Sequence, residues 1–425
     1  MNILIRNGRI IDPANQHDQI TDMYIVDGNI AAFGKTPKNF HADNTLNASN
    51  LFVVPGLVDL AARLREPGQT HKADIASETR AASYAGITTL CMPPDTHPVI
   101  DETAVVELIS RKSKQSAHGK VVTLGALTAG LQGERLSEMV TLKDAGCVGV
   151  SNARKPLTNS LVMRRAFEYA ATHNITVHIE ANDHWLGHGC AHEGAVATRL
   201  GLPPISPAAE TAAIAQHLEL MGDSGVRVHF GRLSCARSVD MINHARDRGL
   251  HVSADVAVHQ LHLTEQDIAG FNSNCHVLPP LRSQRDMEAL RLGIKNNIIT
   301  AICSDHQPHD RDAKLAPFPS TEPGISALET LLPLTLKLVN EGHLDLVTAI
   351  ANLTCNPAHI LGIDAGTLGI GKAADVCIIN PDADWTFAAD DILSRGKNTP
   401  FVGWHFAARV VHTIIDGKLI YSRSE

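Results

Sequence analysis

Aromatic residues make up only 4% of the chain. It has no C-x-x-C pair, no apolar run of 18 residues and no G-x-G-x-x-G after its first long apolar strand. Each absence excludes something. Without the long run, no segment reads as a membrane-spanning helix. Without the glycine fingerprint, a dinucleotide-binding open sheet lacks its signature. Without paired cysteines, neither a zinc ribbon nor a dithiol redox site is indicated. Cys91, Cys147, Cys190, Cys235, Cys275, Cys303, Cys355 and Cys377 are scattered, several inside apolar runs, as buried reduced thiols would be. Positive charge is in deficit as well. Lys and Arg number 37 against 45 Asp and Glu, a net charge of −8 that opposes a nucleic-acid footprint. The stretch Met1 to Asp12 alternates apolar with polar residues and lacks the apolar core of a signal peptide, so a cytoplasmic location is expected.

What is present is a globular composition, 44% apolar over 425 residues, enough for one large domain and a smaller one. The two ends are strand-rich. Ile3–Arg6, Arg9–Ile11, Met23–Val26 and Asn29–Ala32 read as strands, with Asn7-Gly8 and Asp27-Gly28 as hairpin turns. Asp375–Ile379, Val410–Ile415 and Lys418–Tyr421 repeat the texture around Asp416-Gly417. One small β-sandwich built from residues 1–53 and 365–425 is expected.

Between them, strand-like runs alternate with helical patterns. The strands fall at Leu57–Leu60, Ile87–Cys91, Val121–Leu124, Val148–Val150, Ile175–Ile179, Val226–Phe230, His251–Ala254 and Ile299–Cys303. Asn159-Ser160 caps a helix from Leu161 to His173, Ser206-Pro207 opens another, and Ser283 with Asp286 forms a capping box before a third. Eight such units over residues 54–364 predict an α/β chain with a (β/α)8 TIM barrel.

A barrel carries its chemistry at the C-terminal ends of its strands. Ala61, Arg63, Arg65 and Glu66 follow strand one, and Asp95 follows strand two. Asn152, Ala153 and Arg154 follow strand four. Strand five carries His178 and Glu180, strand six His229 and then Arg232, and strand eight ends in Ser304-Asp305-His306-Gln307-Pro308-His309.

Pro55-Gly-Leu-Val-Asp59, Leu64-Arg-Glu-Pro-Gly68, the Asp305-His-x-Pro-His run and Lys397-Asn-Thr-Pro-Phe401 together resemble the dihydroorotases of the amidohydrolase superfamily. The similarity extends over essentially the whole chain. It implies a cyclic-ureide hydrolase of the pyrimidine pathway that uses zinc and a bridging hydroxide. Family ligands are His-x-His on strand one, an acidic or carbamylated residue on strand four, His on strands five and six, and on strand eight an Asp that doubles as base.

Carried onto this chain, most of the ligands are missing. His-x-His has become Ala61 and Arg63, the strand-four acidic pair Asn152 and Ala153 with Arg154 beside them, and the strand-six His Arg232. Only His178 and Asp305 match family ligands. Among substrate contacts Arg65 matches, while the usual asparagines appear as Asp95 and Leu278. Catalytic zinc needs three protein ligands and an open position, and arginine cannot deprotonate to ligate. No metal or cofactor is therefore expected. Arg63, Arg154 and Arg232 are expected instead to place three positive charges where two metals would bring four, paired with Asp305 and Asp95.

Three functions follow. The resemblance implies a non-catalytic partner of the catalytic chain of aspartate carbamoyltransferase, in a large hetero-oligomer. A hydrolase with a rearranged metal site, using Asp305 as base, is the second. The third is a metal-free binder of a ureide or dicarboxylate through Arg65. Outside this set, His184, His188 and His192 at i, i+4, i+8 could line a helix and bind zinc, but Gly187, Gly189 and Gly194 point to a loop with solvated histidines. The loop from His309 to Glu322 is a candidate lid or contact.

Overall fold

The computed structural model describes residues 2–222 and 224–423. Eight strands lie in chain order around the barrel: Leu57–Asp59, Ile87–Met92, Lys120–Ala126, Cys147–Ser151, Val177–Ile179, Val228–Phe230, Val252–Ala257 and Ala301–Cys303. Every neighbouring pair is parallel. The ring closes through a parallel bridge between Ala62 and His306, and Ser304 N donates to Asp59 Oδ1 at 2.9 Å. Both faces of a barrel strand are covered, one by the barrel interior and one by helices, so its residues are apolar without alternation. In Ile87–Met92 every residue is buried.

The helices start where their caps stand. Asn159 Oδ1 accepts from the backbone of Leu161 and Val162, opening the helix Ser160–Thr172. Ser283 and Asp286 form a reciprocal capping box before Gln284–Lys295. Helix Ala208–Met221 begins one residue later than its proline suggests, with Ser206 Oγ accepting from Ala208 N at 3.3 Å.

The termini meet in one eight-stranded sheet. Its order is Lys418–Ser422, Arg409–Ile415, Val376–Asn380, Phe52–Pro55, Ile3–Asp12, His17–Val26, Asn29–Phe33, with Asn44–Asn47 also on Ile3–Asp12. That shared strand forks: residues 3–6 pair with 44–47, and Arg9 and Ile10 pair with Phe52 and Val53. Ile3, Ile5, Met23, Val53, Val376 and Ile414 build its core, separate from that of the barrel. Asp27-Gly28 and Asp416-Gly417 are hairpin turns. Asn7-Gly8 is not. It is an irregularity inside a single long strand, and Asn7 takes the left-handed conformation (φ 56°) that in a turn would have reversed the chain. Pro55 still pairs in this sheet, and the first barrel strand starts two residues on.

Candidate functional site at the barrel mouth

The strand ends converge on an interlocked set of arginines and carboxylates. Arg63 Nε donates to Asp95 Oδ2 at 2.9 Å, Nη2 to Glu180 Oε1 at 3.4 Å and Nη1 to Asp305 Oδ1 at 3.5 Å. Arg154 Nε donates to Glu180 Oε2 at 3.2 Å and Nη2 to Asp305 Oδ2 at 3.2 Å. Its Nη1 reaches Gln307 Oε1 at 3.1 Å, and Nη2 also bonds the carbonyl of Leu278. Arg232 Nη2 lies 2.7 Å from Glu180 Oε1 and Nη1 3.7 Å from Asp255 Oδ2. Seven of the eight strand ends contribute to this set, strand three being the exception.

Several of these residues are held in the left-handed region although none is glycine: Arg65 (φ 64°), Ala153 (φ 49°), Arg232 (φ 57°) and Asp305 (φ 45°). Each such residue costs about 1–3 kcal/mol, and they concentrate where a fold positions side chains for a site. All four follow strands one, four, six and eight at the barrel mouth.

Electrostatics divides the two central carboxylates. Burial alone would raise Glu180, but Arg232, Arg63 and Arg154 outweigh it and hold the group at about 2. Burial raises Asp305, and Arg154, Arg63 and Arg232 offset this only in part. The difference follows contact: Glu180 has three guanidiniums, one of them at 2.7 Å, while Asp305 has two, at 3.2 and 3.5 Å. Asp255 lies below its ordinary value, because Arg232 and a bond from His229 overcome its burial. Arg63 and Arg232 are fixed as cations against their own burial, by Asp95 and Glu180 first for Arg63 and by Glu180 and Asp255 for Arg232.

The other expected positions bring no charged side chain into the arginine–carboxylate ion pairs. Ala61 is buried and serves through its carbonyl, which accepts from His306 N. Asn152 Oδ1 accepts from Thr128 and Nδ2 donates to the Lys155 carbonyl, so its amide staples the strand-four loop. Leu278 takes part through its backbone only. Arg65 spends its donors on Pro308 O, Gln69 and His309, and burial, with Arg63 nearby, pulls it down to about 10. His229 is a satisfied core histidine between Ser253 Oγ (2.9 Å) and Asp255 Oδ2 (2.8 Å). His178 is different. Its Nε2 is buried with no partner among the described residues, and burial, with His229 and Arg232 close by, holds the ring well below its ordinary value.

These residues do not fit a metal pair. Among the described residues no three His, Cys, Asp or Glu side chains are grouped to hold an ion. Both Asp305 oxygens are already bonded to guanidiniums. The i, i+4, i+8 histidines do not form a helix face. His184 and His188 meet edge-to-face in a loop, ring centroids 5.6 Å apart, while His192 is buried in a short strand against Arg282, so the expectation of three solvated histidines fails for His192. All eight cysteines are free, seven of them buried. Of the central residues, Asp255 is not singled out by the sequence, and Glu180 appears there only as a strand-five end residue outside the expected ion pairs. The signal for Glu180 was in the sequence, since it lies two residues beyond His178 and so points to the same face of an extended chain.

A model of the Amidohydrolase family matches residues 52–420. A "Dihydroorotase-like protein" of Pseudomonas putida is 48% identical over 422 residues, covering 99% of each chain, and its namesake in Pseudomonas aeruginosa is 47% identical over 99% of this chain and all of that one. A "Dihydroorotase" of Geobacter sp. (strain M21) is 42% identical, again over 99% of both. Among solved structures, the L-hydantoinase (dihydropyrimidinase) of Arthrobacter aurescens superposes with a TM-score of 0.89 at 23% identity, covering 100% of this chain and 96% of that one, a likeness of fold. The chain belongs to the amidohydrolase family, among its dihydroorotase-like members.

Proposed function

We propose that this chain is a non-catalytic, dihydroorotase-like subunit that supports assembly and activity of aspartate carbamoyltransferase in pyrimidine biosynthesis. The observation that supports the non-catalytic part is the filled mouth. Arg63, Arg154 and Arg232 lie among the positions where the family places its ligands, and each is bonded to carboxylates that no longer face an ion. Hydrolysis of a cyclic amide needs an activated water and a free base, and Asp305 is tied to two guanidiniums and the Gln307 amide. Binding of a dicarboxylate at the mouth draws less support. The three guanidiniums already face four carboxylates, Asp95, Glu180, Asp255 and Asp305, and Arg65 is bonded to its own loops.

The partner follows from the resemblance and is tested directly. The chain, co-expressed with the catalytic chain of aspartate carbamoyltransferase from the same organism, is expected to co-purify as one large complex, with transcarbamoylase activity lost when it is left out. Full activity of the catalytic chain alone, with no co-purification, overturns the proposal. Zinc-dependent dihydroorotate hydrolysis by the purified chain overturns its non-catalytic part.

A further inference from the structure

A basin of about 1150 Å³ opens at the end of the barrel opposite the arginine cluster, lined by the residues that enter strands four to eight and by the helix Cys355–Leu361. Over the whole chain acids outnumber bases. Yet no described residue lining this basin is Asp or Glu, while Lys143, Arg227 and Arg246 all line it and are exposed. Its lining is mixed: Ile175, Leu250 and Ile360 give it an apolar part beside polar residues such as Thr176, Ser253 and Thr300.

The cations have a partial structural explanation. Barrel helices run back toward this end, so their last carbonyls collect here and attract positive charge. Lys143 Nζ donates to His173 O at 2.8 Å, and Arg246 Nη1 to Asn297 O. That accounts for a bond or two per cation and leaves the crowding unexplained. Lys143 and Arg227 reach the same oxygen, Asn174 O, each at 3.4 Å. Two like charges converge on one neutral carbonyl, and among the described residues none of the three cations has a carboxylate partner. Each guanidinium carries five N–H donors, of which Arg227 and Arg246 spend one or two on described oxygens.

The geometry points to a docking face, and we infer that this basin receives an acidic, leucine-type apolar segment of a partner polypeptide. Small-ligand sites of about 300–1,000 Å³ present buried polar groups that converge on the ligand. Here the volume is larger, and no buried unpartnered polar side chain among the described residues lines the basin. Apolar residues beside exposed charged and polar ones, in roughly even measure, match the make-up of a protein interface. Identifying the partner as the transcarbamoylase chain rests on the function proposed above; the basin's selectivity for an acidic segment does not.

The experiment separates the two. The full chain is titrated into a fluorescent peptide of alternating Glu and Leu, at low and high salt, beside a variant carrying Lys143→Gln, Arg227→Gln and Arg246→Gln. Glutamine keeps a donor for the carbonyls, so the fold is retained and an unchanged melting temperature verifies it. Saturable binding that weakens roughly ten-fold in the variant and falls with salt is expected. Equal binding by both proteins, or none by wild type, overturns the inference. So does displacement of the peptide by inorganic phosphate where sodium chloride of equal ionic strength leaves it bound, which would assign the basin to a small anion. Co-purification of the transcarbamoylase chain with wild type but not the variant names it as the partner. If the peptide result holds and that chain never co-purifies, the proposed function fails and the docking face stands.

Discussion

Glu180 pairs with three guanidiniums, so removing its charge takes an anion from each and the nearest one from Arg232. Breaking a buried ion network from one side costs about 3–5 kcal/mol, and Glu180→Gln is expected to lower the thermal midpoint by several degrees. Asp95→Asn makes the contrast: its side chain is 28% exposed, solvent screens the pair, and the midpoint should barely move. Equal effects at both sites would refute this ranking. The pH dependence has a definite sign. Glu180 falls from an ordinary 4.5 to about 2 in the folded protein, so its contribution is complete above about 4.5 and is lost as pH falls toward 2. Asp59 acts oppositely. Burial raises it to about 6 against its bonds from Ser304, so the folded state holds its proton more tightly and stability declines as pH rises from 3.8 to 6. Melting scans of wild type and Glu180→Gln should therefore converge between pH 4.5 and 2; curves that stay parallel there would remove Glu180 from the acid response. Most of this cluster was legible as residue types at strand ends. Glu180 stood in view beside His178, but with the metal ligands gone nothing local marked it as the hub. Three arginines from three distant loops selected it, and that choice exists only in three dimensions.

Strand alternation gave the barrel away, but strand ends did not. Strand five runs from Val177 rather than Ile175, and strand seven from Val252 to Ala257, three residues beyond its apparent end. Both faces are buried, so no polar–apolar alternation marks where pairing stops. The extra length of strand seven is what hid Asp255, an inward residue of the strand that reads from sequence as loop. At the β end, the left-handed Asn7 mimicked a hairpin because local chemistry is the same for a turn and for a bulge; only pairing with His17–Val26 distinguishes them. Helix starts were more legible, since Asn159 and Ser283 act through atoms two or three residues away. At this scale Gly149 gives a direct test. A Cβ there would sit 2.9 Å from the Thr176 carbonyl and 2.9 Å from the His178 ring. Gly149→Ala must therefore push strand four from strand five, and such overpacking costs about 1–3 kcal/mol. A melting temperature equal to wild type would mean that the two strands part without cost.

At the scale of the whole molecule, the question is what holds the ring of strands shut. In a metal-built mouth an ion ties the strand ends together, and removing it loosens the barrel. In this chain direct ion pairs join strands one, two, four, five, six, seven and eight, and the first and last strands are also joined by Ala62–His306 and Ser304–Asp59. The terminal sheet adds a second tie, Lys120 of strand three meeting Asp375 at 2.8 Å and Asp416 at 2.7 Å. These fastenings differ in their response to solution conditions. The Lys120 pair is partly exposed, so salt should weaken it, whereas Arg63, Glu180 and Asp305 are nearly sealed from counterions. Prolonged dialysis against a strong zinc chelator is therefore expected to leave the melting temperature of the chain unchanged, and high salt to lower it only slightly. The same treatment should destabilise a relative that carries His-x-His on strand one and depends on its metal. A fall in melting temperature on chelation, restored by zinc, would show that an ion closes this mouth and that the arginines do not stand in its place.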